Sequence, residues 1–150
     1  MKLTNHSVIR ALAVVGLVAA FAVAGAGAAQ AKPGGTPAIP LNTEQEVTGS
    51  NTGASGFFSY SIAGDQFCYT LEARNLSAPA VAAHVHLAPR HVAGDVVIPL
   101  IVGTGTSWTV QSCTTASTEL LAAVAESPRS YYVNVHTPTF PGGEIRGQLK

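Results

Sequence analysis

Residues 131–149, YYVNVHTPTFPGGEIRGQL, decide the fold class of the chain. The run 131–137 is rich in aromatic and β-branched side chains, which favours a β-strand. The prolines and glycines of 138–143 predict a turn. Residues 144–149 then alternate polar and apolar side chains, as a half-buried strand does. The stretch therefore predicts a β-hairpin.

Short runs of the same kind, separated by turn residues, occupy most of the chain before this hairpin. The runs predicted as further strands are 41–47, 58–62, 67–72, 81–87, 96–102 and 107–113. We expect the almost entirely apolar run 96–102 to be buried on both faces. Residues 118–126 instead have helical spacing, with Ser117 as N-cap and Pro128 as the stop. About seven or eight short antiparallel strands with one short helix predict an all-β fold, a Greek-key β-sandwich or barrel.

The first 31 residues predict a signal peptide. Lys2 and Arg10 form a basic start, residues 11–29 are an apolar run, and Ala29-Gln30-Ala31 has the small-x-small form of a cleavage site. We expect cleavage after Ala31 and a protein that is secreted, either released or held at the cell envelope. The alternative is an uncleaved anchor helix, because the apolar run is near the length that spans a bilayer.

Beyond the leader we expect a flexible lead-in over 32–40, which is rich in proline and glycine, and a single β domain over 41–150.

The whole chain has eight basic and eight acidic side chains, and two of the basic ones lie in the leader. The exported chain is therefore slightly acidic. This balance argues against a nucleic-acid partner and against a polybasic membrane patch, and no further membrane span is expected after cleavage.

The two cysteines, Cys68 and Cys113, predict a disulfide, because an exported protein meets an oxidising compartment. Such a bond would close a loop of about 45 residues and stabilise the fold by roughly 4 kcal/mol. The alternative is a pair of free buried thiols. A metal site built on the two cysteines is disfavoured, because the chain has no Cys-x-x-Cys motif.

Three histidines are candidate metal ligands. His84 and His86 are separated by one residue within a predicted strand, so their Cα atoms share a face at roughly 6.5–7 Å. His136 lies in the strand at 131–137 and would be the third ligand. Three imidazoles without a thiolate suit copper(II) first and zinc second. The alternative is that the histidines are neutral, hydrogen-bonded parts of the scaffold.

Residues that would support this site are predicted on the hairpin. Asn134 lies on the His136 face, and Glu144 and Arg146 share a face of the last strand, across from His136. Arg146 could also pair with Glu144, Glu46 or a ligand anion, and the favoured alternative is an inter-strand ion pair that fixes the last strand. The fourth histidine of the exported chain, His91, is expected to be an exposed loop residue rather than a ligand.

Several stretches resemble the CHRD domain, a module first described in chordin and also found alone in secreted bacterial proteins. The resembling stretches are LNTEQEV at 41–47, AHVHL at 83–87, YVNVHT at 132–137 and PGGEIRGQL at 141–149. The resemblance implies an extracellular β-sandwich-like module. It implies no reaction, because the family has no generally established enzymatic activity.

Three function classes follow. The first is a non-catalytic extracellular module that binds a protein or matrix partner or has a structural role. The second is a copper- or zinc-binding protein that uses His84, His86 and His136. The third is an enzyme, since His-Val-His and a disulfide on a Greek-key fold resemble the copper/zinc superoxide dismutases. We expect no enzyme, because the zinc-site histidines and aspartate of that family have no counterpart here.

Overall fold

The structure is a computed structural model that describes residues 37–150. The strands are β1 (Ile39–Asn42), β2 (Ser55–Ala63), β3 (Gln66–Arg74), β4 (Ala82–Leu87), β5 (Asp95–Leu100), β6 (Trp108–Thr115), β7 (Tyr131–His136) and β8 (Ile145–Gln148). This part of the chain also has one α-helix, α1 (Thr118–Glu126), and two 3-10 turns at Thr43–Gln45 and Pro128–Ser130. The all-β prediction, with eight strands and one short helix, is confirmed.

The eight strands form one antiparallel sheet in the order β5-β4-β7-β8-β1-β2-β3-β6. Neighbours such as β4 and β7, or β3 and β6, are distant in sequence, which is the crossover pattern of Greek-key folds. The sheet curls into a nearly closed barrel. Where its two edges approach, the Ile101 amide after β5 donates to the Tyr69 hydroxyl of β3 at 2.8 Å.

Alternation along the strands places one continuous apolar core inside the curled sheet. Between β2 and β3 the rings of Phe58, Tyr60, Phe67 and Tyr69 pack with centroids 5.2 to 6.3 Å apart. Such contacts add to the stabilisation from buried area. The core fixes which face of each strand is inside, and so which face can carry polar side chains.

Helix α1 begins and ends where predicted. The Ser117 hydroxyl accepts a hydrogen bond from the Leu120 amide at 3.2 Å, which satisfies one of the free amides of the first turn. Leu121 and Val124 are buried against the core. The helix thus forms part of the crossover between β6 and β7.

Two strand predictions were wrong in part. The strand predicted over 41–47 ends at Asn42, because the Asn42 side chain accepts from the Gln45 amide at 3.1 Å and caps a 3-10 turn. The strand also begins two residues earlier than the predicted domain start, at Ile39. The run predicted to be buried on both faces is the edge strand β5, which pairs only with β4 and leaves Val96 49% exposed.

Cys68 and Cys113 form the predicted disulfide, so the alternative of free thiols is excluded. The two residues are directly opposite in the β3–β6 pairing, and the bond therefore links the edge strand β6 covalently to its neighbour.

Within residues 37–150, no helix is long and apolar enough to cross a membrane. The predicted signal peptide over 1–31, its anchor alternative and most of the lead-in lie outside the described residues.

Candidate metal centre

The three candidate histidines meet on one face of two neighbouring strands. β4, which carries His84 and His86, pairs directly with β7, with Ala82 opposite His136 and His86 opposite Tyr132. Period 2 then puts all three imidazoles on the same side of the sheet. Strand pairing thus brings together residues that are some 50 positions apart in sequence, as the site hypothesis requires.

The separations are those of a compact cluster. One ring nitrogen from each of His84, His86 and His136 lies within 4.8 Å of the others. The closest pair, Nδ1 of His84 and Nε2 of His136, is 3.1 Å apart. Two ligands of one ion at about 2.0 Å must lie about 3–4 Å from each other. The closest pair meets this condition, and the other separations, at most 4.8 Å, lie within about 1 Å of it.

Two of the imidazoles are oriented by backbone carbonyls. Nδ1 of His86 donates to the Gly94 carbonyl at 2.9 Å, and Nδ1 of His136 donates to the Pro141 carbonyl at 3.0 Å. Because a carbonyl only accepts, the proton of each neutral ring lies on Nδ1 and the lone pair on Nε2. Histidine ligands of metals are commonly held in this way. Nε2 of His86 is buried and has no hydrogen-bond partner among the described residues.

The surroundings of the cluster favour the neutral form of all three imidazoles. Burial, with further repulsion from His136 and His86, lowers the pKa of His84 to about 4. Burial also lowers the pKa of His86 and of His136. Neutral imidazole is the form that binds a metal, so no proton has to leave these rings at neutral pH. The donor set of three nitrogens fits copper or zinc.

Arg146 does not make the predicted inter-strand ion pair. Its side chain is fully buried, and its guanidinium donates to the carbonyls of Pro89 at 2.8 Å and Val92 at 2.9 Å. Neither Glu144 nor Glu46 lies within ion-pair distance of it, since the ion pair found in residues 37–150 is elsewhere. Arg146 therefore fastens the loop between β4 and β5 to β8, a role that the ion-pair prediction missed.

Glu144 is fully buried, and the hydrogen bonds that its carboxylate accepts come from residues other than the three histidines. Its carboxylate accepts hydrogen bonds at 2.8 Å from the hydroxyls of Thr52, Ser77 and Thr137, and from the Ser77 amide. Whether it supports the metal ligands stays a prediction. The carboxylate joins three loops next to the strand end that carries His136.

Asn134 lies where predicted, on β7 beside the cluster, and is 1% exposed. Its side chain is close enough to raise the pKa of His86, in opposition to burial. Whether it supports a bound metal stays a prediction.

His91 is exposed and lies outside the cluster, in a turn at φ 61°, as expected of a loop residue.

Comparison with known families accounts for nearly all of the described chain. The family model of the CHRD domain matches residues 38–149. The chain belongs to the CHRD family. No curated protein and no solved structure matches it significantly. The CHRD domain thus covers every strand of the sheet, and the three histidines lie within it.

Tyr132 and Gly94, two residues of this CHRD domain that lie beside the histidines, were not identified from the sequence. The Tyr132 ring stacks on His86, with centroids 4.7 Å apart and planes within 4°, and it also lies 3.3 Å from the Arg146 guanidinium carbon. Gly94 supplies the carbonyl that orients His86, and a Cβ there would collide with the Leu87 carbonyl. Tyr132 follows from period 2 on β7 once the β4–β7 register is known, whereas no local pattern indicates Gly94.

Glu46 is an unusual carboxyl group near this site. It is 7% exposed, and burial raises its pKa to about 7, although Arg146 and Asn134 pull the value down. In the unfolded chain the same group has an ordinary pKa of 4.5. Between these two values the folded state holds more protons than the unfolded state, so the free energy of unfolding falls as the pH rises.

Glu46→Gln is therefore expected to stabilise the CHRD domain relative to wild type at alkaline pH. Between about pH 4.5 and pH 8 the difference in unfolding free energy should move in favour of the variant by about 2–3 kcal/mol. Urea unfolding of both proteins over this range measures it. Glu44→Gln, at an exposed position two residues away, is the matched control and should show no such trend. A pH-independent difference for Glu46→Gln would contradict the assignment.

Proposed function

We propose that this CHRD domain is a non-catalytic extracellular module that binds one copper(II) or zinc ion through His84, His86 and His136. The family supports the non-catalytic part. The disulfide and the predicted leader support an extracellular location. A protein or matrix component outside the cell is the partner class that fits such a module.

The observation that carries the metal proposal is the buried Nε2 atom of His86. A scaffold role accounts for the other two rings, because His84 and His136 can hydrogen-bond to each other at 3.1 Å. It does not account for His86, whose Nε2 has a lone pair but no partner among the described residues. Leaving a buried polar atom unpaired costs about 1–3 kcal/mol. A metal ion bound by the three nitrogens removes that cost.

Copper(II) is the first choice and zinc the second, because both accept imidazole and the cluster offers no thiolate or carboxylate. We expect no dismutase activity. A second metal site would need further histidines, and within residues 37–150 the remaining one, His91, is exposed and lies outside the cluster.

Isothermal titration of the purified protein with copper(II), and separately with zinc, tests the proposal. We expect uptake of about one ion per chain, with an affinity that falls by at least about 100-fold in His84→Ala. His84 is the ligand to change, because it is only half-buried and the smallest effect on folding is expected there.

The matched control is His91→Asn, which removes an imidazole outside the cluster and keeps a residue type that tolerates the positive φ of 61°. This variant should bind the ion as wild type does. Unchanged uptake in His84→Ala, or an equal loss in both variants, would overturn the metal site. Copper-dependent dismutase activity would overturn the non-catalytic assignment.

A further inference from the structure

The cationic side chains of this acidic domain are unevenly distributed. Residues 37–150 have five arginine and lysine side chains, namely Arg74, Arg90, Arg129, Arg146 and Lys150. Arg74 is paired with a carboxylate on its own strand, and Arg146 is fully buried. The other three are exposed, and all of them line one pocket.

The pocket lies at the end of β8 and has a volume of about 420 Å³. Gln148 and Leu149 complete its lining, which contains no acidic side chain. The three cationic side chains around one cavity repel one another, and none of the eight acidic side chains of the chain is among its lining residues. An anion in the pocket would relieve this repulsion.

Two of the three cations are held in place by glutamine side chains. Nε2 of Gln148 donates at 2.8 Å to the Ala88 carbonyl and at 2.8 Å to the Arg129 carbonyl, so it fastens together the two loops that carry the arginines. The Arg90 guanidinium donates to Oε1 of Gln45 at 3.3 Å. That hydrogen bond uses one of its five N–H groups and leaves the others for a ligand.

We propose that this pocket binds a small polyanion that carries phosphate or sulfate groups. Guanidinium groups present paired N–H donors that match two oxygens of such a group, and a lysine adds a mobile positive charge. The cavity is large enough for a ligand with more than one of these groups. The proposal shares no residue with the metal site and does not depend on it.

Calorimetric titration of the purified protein at low ionic strength tests the proposal with two probes, inorganic tripolyphosphate and sucrose octasulfate. We expect saturable binding of at least one probe, weakened by added salt. The double variant Arg90→Gln/Arg129→Gln should lower the affinity roughly tenfold or more, because each arginine contributes charge-assisted hydrogen bonds. Both positions are exposed, so thermal unfolding should be unchanged.

Arg74→Gln is the matched control, because it removes the same charge from an exposed arginine outside the pocket. Its affinity should equal that of wild type. Binding of tripolyphosphate alone assigns a phosphorylated ligand, binding of the octasulfate alone a sulfated one, and binding of both assigns recognition by charge. No saturable binding of either probe, or the same loss in Arg74→Gln as in the double variant, would overturn the proposal.

Discussion

Replacing Arg146 with methionine is expected to lower the free energy of unfolding by about 3–5 kcal/mol. The side chain is fully buried, and its guanidinium donates to the Pro89 and Val92 carbonyls. Methionine fills much of the same volume but donates nothing, so two carbonyls lose their donor. It also removes the cation that lies over the Tyr132 ring at 3.3 Å.

The same variant should weaken the proposed metal site, although Arg146 is not a ligand. The loop that Arg146 holds at Pro89 and Val92 continues to Gly94, whose carbonyl orients His86. A looser loop holds this imidazole less firmly. Changes to residues that orient metal ligands commonly reduce affinity 10- to 100-fold, and we expect an effect of about that size.

Arg74→Met is the matched control for the Arg146 variant. Arg74 also lies over an aromatic ring, 5.5 Å from the centroid of Phe57, but its side chain is 52% exposed. Exposed pairs of this kind contribute about 1 kcal/mol or less. Urea unfolding at pH 7 compares the two variants with wild type. Similar small losses for both would show that the buried hydrogen bonds of Arg146 do not hold the loop.

The fold class follows from the sequence because alternation and turn residues are local properties. The hairpin at 131–149 and the helix at 118–126 are examples, since each depends on neighbours within a few residues. The burial of a strand, in contrast, depends on which other strands lie beside it in the sheet. The apolar run 96–102 has the composition of a central strand, yet it forms an edge, because its position depends on which strands pair with it.

The candidate metal site also has one feature that is local in sequence and others that depend on strand pairing. Period 2 places His84 and His86 on one face, but their approach to His136 depends on the pairing of β4 with β7. That pairing joins segments about 50 residues apart and leaves no local pattern. The partners of Arg146 are loop carbonyls, which carry no side-chain identity that a sequence pattern could show.

Glu144→Ala is the second change with a large expected effect, a loss of about 3–5 kcal/mol in the free energy of unfolding. The fully buried carboxylate accepts four hydrogen bonds, three from hydroxyls and one from the Ser77 amide. Without it these donors lack an acceptor in a site closed to water. Glu144→Gln should lower the free energy of unfolding by less, because its amide oxygen can still accept hydrogen bonds from some of the four donors.

The loss in Glu144→Ala should depend on pH. Burial by itself raises the pKa of Glu144, but hydrogen bonds from Thr137, Ser77 and Thr52 outweigh burial and hold the pKa below its ordinary value of 4.5. The carboxylate therefore stabilises the folded state above about pH 4.5, and this contribution is lost as the pH falls through the folded-state pKa. The gap between wild type and variant should narrow on acidification.

Urea unfolding at pH 7 and at about pH 4 measures both effects. Glu126→Ala, at an exposed position at the end of α1, is the matched control and should cost about 0.5 kcal/mol or less. If Glu144→Ala costs no more than the control, the loops at Thr52 and Ser77 are held by other contacts. A gap that widens toward acid pH would contradict the lowered pKa, because it would mean that the folded state favours the protonated carboxyl.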